Sequence, residues 1–310
     1  MSSEVFIIAN PIAGDGKSGE LSNKLVEALS RLQVSSTLKT ALSAGESEEL
    51  ARLAIVEGSD VIVACGGDGT VHEIINGIKP CPGSKVSPLL AVLPAGRCND
   101  FSTSLLLPDS PVELAAAIKS GHTKKIDLGK VGETFFATVA TLGFDSEVAE
   151  YVDSGATPFF LSGILSYLYG LLIKLPKYQF PEVRIRTDSS MFRGSILLSA
   201  VGNTDRYGGG FLICPGAKID DGLLHLCIVR QIPRLEVLKV LPKVFFGQHV
   251  SHPKVSLETF SNMSVALEST DKPENLSVWI WADGERAELL SAEEETTFKV
   301  IASAISVVVT

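Results

Sequence analysis

The feature that most restricts the fold is a change of hydrophobic period near residue 122. Before it, short apolar runs alternate with stretches whose apolar residues recur at helical spacing: Val5–Ala9, then Leu21, Leu25, Leu29 and Leu32, then Ser36–Thr40, then Leu50, Leu53 and Ala54. The next cycle is purer. Val61–Cys65 is apolar throughout, Val71, Ile74, Ile75 and Ile78 share one helical face, and Leu89–Leu93 is again a continuous run. A strand without polar alternation has both faces covered, and helices between successive strands of this kind make the sheet parallel. Ser110-Pro111-Val112-Glu113 is a capping box with Pro at the first helical position, opening a helix that stops at Gly121.

Beyond residue 123 β-branched and aromatic runs take over: Ile126–Val131, Phe135–Thr141, Val183–Thr187, Ile196–Val201, Leu223–Val229, Val255–Phe260, Met263–Leu267 and Val278–Trp281. Many short strands without intervening helices point to a β-sandwich. Phe298–Ile301 and Ile305–Val309 either close that sandwich or return to the first domain. The expected organisation is an α/β nucleotide-binding domain over 1–122 and a β-sandwich domain over 123–297, with 298–310 available to rejoin the first. No internal repeat or low-complexity linker breaks this division.

Composition narrows the partners. The 310 residues carry 27 Lys and Arg against 36 Asp and Glu, a formal net charge of −9, and show only short basic stretches such as Lys124-Lys125. A nucleic-acid partner calls for the opposite balance, so none is expected. Cys65, Cys81, Cys98, Cys214 and Cys227 are odd in number, widely spaced and without a C-x-x-C pair, which fits reduced thiols in the cytoplasm rather than a disulfide frame or a zinc site. Histidines 72, 122, 225, 249 and 252 form no ligand or triad spacing and read as ordinary surface or core residues. Met1-Ser2-Ser3-Glu4 runs straight into Val5–Ala9, so no export signal is expected. Phe159–Leu175 has Lys174 as its one charge, but it falls short of the roughly 20 residues of a membrane span and is interrupted by Ser162 and Ser166. It reads as a buried or groove-lining helix, or as an apolar wall for a greasy ligand.

The sharpest chemical signal is Gly66-Gly67-Asp68-Gly69-Thr70, set between the strand ending at Cys65 and the helix beginning near Val71. Consecutive glycines let backbone N–H groups converge on an anion, and the helix N-terminus adds partial positive charge. Asp68 would repel phosphates unless a cation or a proton to be abstracted lies between, which points to phosphoryl transfer. The plainer reading is a tight turn whose Asp caps the next helix. Gly14-Asp15-Gly16-Lys17-Ser18 ends like a Walker A loop, but Pro11 stands where the first glycine of that motif belongs. Leu93-Pro94-Ala95-Gly96-Arg97-Cys98-Asn99-Asp100-Phe101 repeats the pattern of buried strand, glycine turn and helix start beside the first cradle.

Together Asn10-Pro11, the glycine-rich loop at 66–70 and Gly96 to Asp100 resemble the diacylglycerol kinase catalytic family, which includes bacterial lipid kinases and the sphingosine and ceramide kinases. The resemblance runs on through Gly143-Phe144-Asp145, Val201-Gly202-Asn203, Tyr207 to Gly210, Ile219 to Leu223 and Ala282-Asp283-Gly284-Glu285. It implies an α/β domain of the NAD-kinase and diacylglycerol-kinase kind plus a β-sandwich, with ATP in the crevice and a lipid hydroxyl presented to its γ-phosphate. By the same resemblance ATP would meet Asn10, Pro11, Ile12, Ala13, Gly14 and Thr40, then Gly66, Gly67, Asp68, Gly69, Thr70, Val71 and His72, and finally Gly96, Arg97 and Asn99. Arg97 departs from the Thr of the family, and either substitutes a charge-assisted contact or points into water.

The resemblance further implies Mg2+ on the carbonyls of Lys218 and Leu223 and the carboxylate of Asp221, where the residues alone read as an Asp-Gly turn. It makes Glu285 the proton acceptor beside Asp283, with Asp68 as the competing base, and puts Asp100 and Asp145 on the acceptor side. Read alone, Asp283-Gly284 is a hairpin turn and Asp145 a helix cap. The expected reaction is ATP- and Mg2+-dependent phosphorylation of diacylglycerol to phosphatidic acid. Sphingoid-base or ceramide phosphorylation, a polar acceptor as in the NAD kinases, and a catalytically weak nucleotide-binding regulator stay open. The expected partner is a membrane lipid met by peripheral contact through cations such as Lys174 and Lys177, and a homodimer is left open.

Overall fold

The computed structural model describes residues 4–11, 13–78, 88–158, 161, 163–268, 277–292 and 294–310, with Asp15 and Ile164 described in their backbone alone. Met1, Ser2, Ser3, Ile12, Cys81, Phe159 and Ser162 lie outside the described residues. The chain divides into two units, Met1–Leu128 with Ile301–Thr310, and Gly129–Val300.

Unit one runs β1 (Glu4–Ala9), α1 (Lys17–Arg31), β2 (Ser35–Thr40), α2 (Glu46–Val56), β3 (Val61–Gly66), α3 (Asp68–Ile78), β4 (Leu89–Pro94), α4 (Asp100–Leu105), α5 (Pro111–Ser120) and the start of β5 (Thr123–Val131). Its strands lie parallel in the order β2-β1-β3-β4, and the C-terminal segment joins them where Val307 pairs with Leu90. All six residues of β3 are buried, which is why its sequence shows no alternation. Val61, Val63 and Cys65 pack on one face against Leu25 and Leu29 of α1 and Leu114 and Ile118 of α5. Each fully buried Leu side chain contributes roughly 1.5–3 kcal/mol. The capping box forms as its sequence predicts, with Ser110 Oγ accepting from the Glu113 amide at 3.4 Å.

The register decides where a ligand can sit. Ala9 is level with Thr40 and with Cys65, and Cys65 is level with Leu93, so three strand-end loops and the end of β2 open on one edge. Because β1 is flanked by β2 on one side and β3 on the other, the sheet reverses its order there. Such a switch point opens a crevice at the carboxyl ends of the strands.

Unit two continues with β6 (Thr134–Phe136), β7 (Val139–Gly143), α6 (Phe144–Asp153), α7 (Ile164–Lys174), β8 (Glu182–Thr187), β9 (Met191–Gly202), β10 (Leu224–Arg230), α8 (Arg234–Val244), β11 (Val255–Phe260), β12 (Asn262–Leu267), β13 (Ser277–Ala282), β14 (Glu285–Ser291) and β15 (Glu295–Val308). Its pairing is antiparallel, in the orders β14-β13-β7-β9-β10-β11 and β9-β8-β12-β15. The 12-residue β9 serves both, its first half on β8 and its second on β7 and β10. Leu142, Ile185, Ile196, Leu226, Val265, Ile280 and Phe298 fill the space between the two sheets.

Three departures from the sequence reading have local causes. The sandwich carries helices beyond the one expected within 159–175: α6 and α8 join α7 in covering the outer face of β7, β9 and β10 through Val148, Leu171, Val237 and Val240. Pro233 before α8 and Pro242 inside it disguise its helical spacing. The expected strand Phe135–Thr141 is broken between Phe136 and Val139, where Ala137 and Thr138 give their N–H groups to a side chain. The two expected C-terminal strands are one, Glu295–Val308, whose first part pairs with β12 and whose last part pairs with β4, so both readings of that segment hold. Among the described residues no helix is long and apolar enough to cross a membrane.

Candidate functional site

The rim of unit one is built by close backbone approach. Gly14 has φ +61°, and a Cβ there would lie 1.7 Å from the Ala95 carbonyl oxygen. A Cβ on Gly96 would lie 2.4 Å from the Gly67 Cα. The loops after β1, β3 and β4 therefore touch through glycines, which no other residue allows. Hydrogen bonds fix the same loops: the Asn10 amide donates to Cys65 O at 3.1 Å, and the Ala95 amide to Gly66 O at 2.8 Å. Asn99, itself at φ +52°, closes the third loop by accepting from the Gly96 amide and donating to the Gly96 carbonyl, both at 2.9 Å.

Asp68 opens α3 and reaches across to α4, where its Oδ1 accepts from the Phe101 amide at 3.1 Å. The carboxylate is thus a cap on the helix of the following loop. Burial, then the charges of Asp100 and Asp68, push the Cys98 thiol up to about 11 against the opposing Arg97, so these four residues share one charged neighbourhood. Arg97 and Thr40 are exposed on this edge, whereas Thr70, Val71, His72 and Asp100 are buried. Val71 and His72 therefore support the cradle from beneath, His72 with Asn76 Nδ2 donating to its carbonyl at 2.9 Å.

In unit two Asp283 is a clamp. Its Oδ2 accepts from the Ala137 amide at 2.9 Å, and its Oδ1 from the Thr138 amide at 2.8 Å and the Thr138 hydroxyl at 2.6 Å. Both oxygens accept hydrogen bonds that hold the turn between β13 and β14, and Glu285, exposed at the start of β14, is what that turn presents. The Lys218–Leu223 turn offers a hard-oxygen set: Asp221 Oδ1 accepts from the Leu223 amide at 3.1 Å, while Oδ2 lies 3.7 Å from His225 Nε2. Among the described residues no three His, Cys, Asp or Glu side chains gather as a metal cluster. One exposed carboxylate with neighbouring carbonyls fits a cation that keeps waters or takes phosphate oxygens, as Mg2+ does.

Between the outer helices and the sheet of unit two lies an apolar cavity of about 60 Å³. Phe144, Leu168, Leu171, Leu198, Val240 and Leu241 line it. Its polar lining is Asp145, Tyr167, Tyr207 and His249. The Asp145 carboxyl is raised above the usual range by desolvation, against the hydroxyls of Tyr207, Thr141 and Tyr167 that lower it. Those two tyrosines are themselves held well above the phenol range, by burial first and then by the Asp145 charge.

Residues 4–131 match the diacylglycerol kinase catalytic domain, and residues 138–309 match the YegS C-terminal NAD kinase beta sandwich-like domain. A diacylglycerol kinase of Staphylococcus aureus (strain JH9) is 32% identical over 274 residues, 86% of this chain and 83% of that protein. The chain belongs to the diacylglycerol kinase family. Among solved structures it resembles a diacylglycerol kinase of Bacillus anthracis (strain Sterne), with a TM-score of 0.73, 21% identity and coverage of 100% of this chain and 97% of that one. It also resembles yeast NADH kinase complexed with NADH, with a TM-score of 0.55, 12% identity and coverage of 100% and 84%. These likenesses show the fold, the α/β domain with the NAD kinase type of sandwich.

Within this kinase fold Asn10, Gly14, Thr40, Gly66 to Thr70, Gly96, Arg97 and Asn99 stand together on the rim of unit one. Asp145 stands at the cavity of unit two. Two residues of the kinase are invisible to motif reasoning. Ser18, fully buried, donates its hydroxyl to Cys65 O at 2.7 Å and ties α1 to the end of β3. Thr138 completes the Asp283 clamp. Neither leaves a signal in a linear sequence, because its partner lies dozens of residues away.

Proposed function

We propose that the chain is an ATP-dependent lipid kinase that transfers the γ-phosphate to the hydroxyl of a membrane lipid, with diacylglycerol to phosphatidic acid the reaction that its relatives' names support. The observation that carries the lipid reading is the cavity of unit two. A polar acceptor wants hydrogen-bonding walls, whereas this wall is mostly hydrocarbon, with Asp145, Tyr167, Tyr207 and His249 as its polar members. The glycine rim carries the nucleotide reading: converging amides at the ends of β1, β3 and β4, with the N-termini of α1 and α3 adding positive potential for phosphates.

In the proposed step the acceptor oxygen attacks the γ-phosphorus in line, the bond to the bridging oxygen breaks, and ADP leaves. The hydroxyl proton passes to a carboxylate, Glu285 on its clamped turn or Asp68 on the rim. Lys218 and Leu223 carbonyls with Asp221 would hold Mg2+, which when bound neutralises charge on the phosphates. Asp145 orients the acceptor's polar end. Membrane contact is proposed to be peripheral, through α7, which exposes Leu165, Leu172 and Ile173 beside Lys174 and Lys177.

Radiolabelled ATP offered with diacylglycerol, a sphingoid base, ceramide and NAD tests the reading. Label in a lipid supports it and names the acceptor, and label in NAD alone defeats it. Asp68→Ala should abolish transfer in a folded protein; near-normal turnover in that variant refutes the role given to the rim carboxylate.

A further inference from the structure

Away from the apolar cavity, unit two carries an open groove of about 540 Å³ where the start of β9, the end of β10 and the residue before β11 meet. Phe192, Arg193, Ser195, Arg230, Gln231 and Lys254 line it. Two main-chain bonds hold these segments at fixed spacing: the Arg230 amide donates to the Lys254 carbonyl at 2.9 Å, and the Gln231 amide to the Ser195 carbonyl at 3.0 Å. A bulge sets Arg230. Val229 is level with Leu198 but Arg230 with Ile196, so one residue of β9 is passed over, and such a shift re-aims the side chain beside it. The Arg230 guanidinium then lies 5.6 Å from the centre of the Phe192 ring, an attraction that restrains it at the groove.

The lining holds three cations and no carboxylate. Arg193 shares Glu268 with Arg184, so one acid answers two guanidinium groups. Among the described residues Arg230 and Lys254 have no ion pair, and the side chains of Ser195 and Gln231 have no hydrogen bond. Glu182, level with Ser195 on β8, stands at the margin. On a chain of net charge −9 this is a local reversal of sign. Two guanidinium forks, an ammonium and two neutral donors around one volume match a group with three or four oxygens, more than a carboxylate offers. The groove is also remote from the Asp283 clamp. Most of β9 separates Arg193 from Gly202, about 30 Å at the usual rise per residue, and it is the next residue, Asn203, whose amide reaches the Thr138 carbonyl.

We propose that this groove is a binding site for a phosphate group, separate from the place of phosphoryl transfer and formed by Arg193, Arg230 and Lys254. The phosphate belongs either to the headgroup of an anionic lipid or to a soluble phosphate. The site stands on its own residues, whatever the reaction proves to be.

The test follows the backbone amide resonances of Ser195, Gln231 and Lys254 while inorganic phosphate is added to the whole chain at constant ionic strength. Saturable shifts at these amides are expected. Arg230→Gln with Lys254→Gln should weaken the binding at least roughly tenfold without changing the melting point, since both side chains are exposed. Glu182→Gln should tighten it about twofold by removing the marginal negative charge, and it gives a second reading should the double variant fail to fold. Cosedimentation with phosphatidylglycerol vesicles, set against phosphatidylcholine vesicles, identifies the source. A preference for the anionic vesicles that shrinks in the double variant assigns the phosphate to a lipid headgroup, and an unchanged preference assigns it to a soluble phosphate. No saturable shift at the three amides, equal shifts with chloride, or phosphate binding that survives the double substitution would overturn the proposal.

Discussion

Replacing Asp283 separates a carboxylate that holds a turn from one that does chemistry. In Asp283→Ala the amides of Ala137 and Thr138 lose their acceptor, and these residues are 1% and 3% exposed, so water does not replace it without opening the strands. Each buried N–H left unmade costs about 1–3 kcal/mol. Asp283 also sits at φ +53°, where alanine adds about 1 kcal/mol. The sum is about 3–7 kcal/mol, a large share of the roughly 5–15 kcal/mol that stabilises a folded protein. At about 2–4 °C per kcal/mol for a unit of this size, the melting point should fall by roughly 6–28 °C. Asp283→Asn keeps one acceptor oxygen and a residue that tolerates positive φ, so it should lose about half as much. Glu285→Gln is the control: Glu285 is exposed, so its variant should melt close to the unaltered protein, and a collapse of turnover would select it over Asp68 as the proton acceptor. Calorimetry beside a turnover assay reads both quantities. An Asp283→Ala protein that melts within about 2 °C of the original would refute the clamp.

Gly96→Ala places a Cβ 2.4 Å from the Gly67 Cα, so the two loops must part by about 1 Å. The KM for ATP should rise at least tenfold by this loss of alignment, measured at saturating lipid. Asp145 offers a test by pH. Its folded carboxyl is raised, so the folded state binds the extra proton, and stability falls as pH climbs from the ordinary value of 3.8 through the raised one. Asp145→Asn should therefore melt higher than the original at neutral pH and equal it below that ordinary value, while turnover drops; equal melting at neutral pH would contradict the desolvation argument. Lys174→Glu with Lys177→Glu should lower turnover on anionic vesicles more than on detergent micelles, and equal loss on both would remove these lysines from membrane contact.

What the sequence revealed and what it hid follow from the range of the interactions. Val61–Cys65 announces a buried parallel strand because burial on both faces leaves no polar alternation, and the run of glycines after it announces a loop that approaches other backbone. Such signals are local. The Asp283 clamp spans 145 and 146 residues, and its effect, the break at Ala137-Thr138 in an otherwise convincing strand, reads as nothing in the string. The helix α8 hides behind two prolines, one before it and one within it. The cavity is drawn from α6, α7, β9, β10 and α8, each of which taken alone shows only an ordinary apolar face.

The last strand carries a consequence for biosynthesis. Val307 pairs with Leu90, Val308 is buried in the core around β3, and the amides of Ser303 and Val309 bind Asp127 and His122. These positions follow the whole of Gly129–Val300 in the chain, so the sheet of unit one keeps an unpaired edge and part of its core uncovered until that intervening unit has been synthesised.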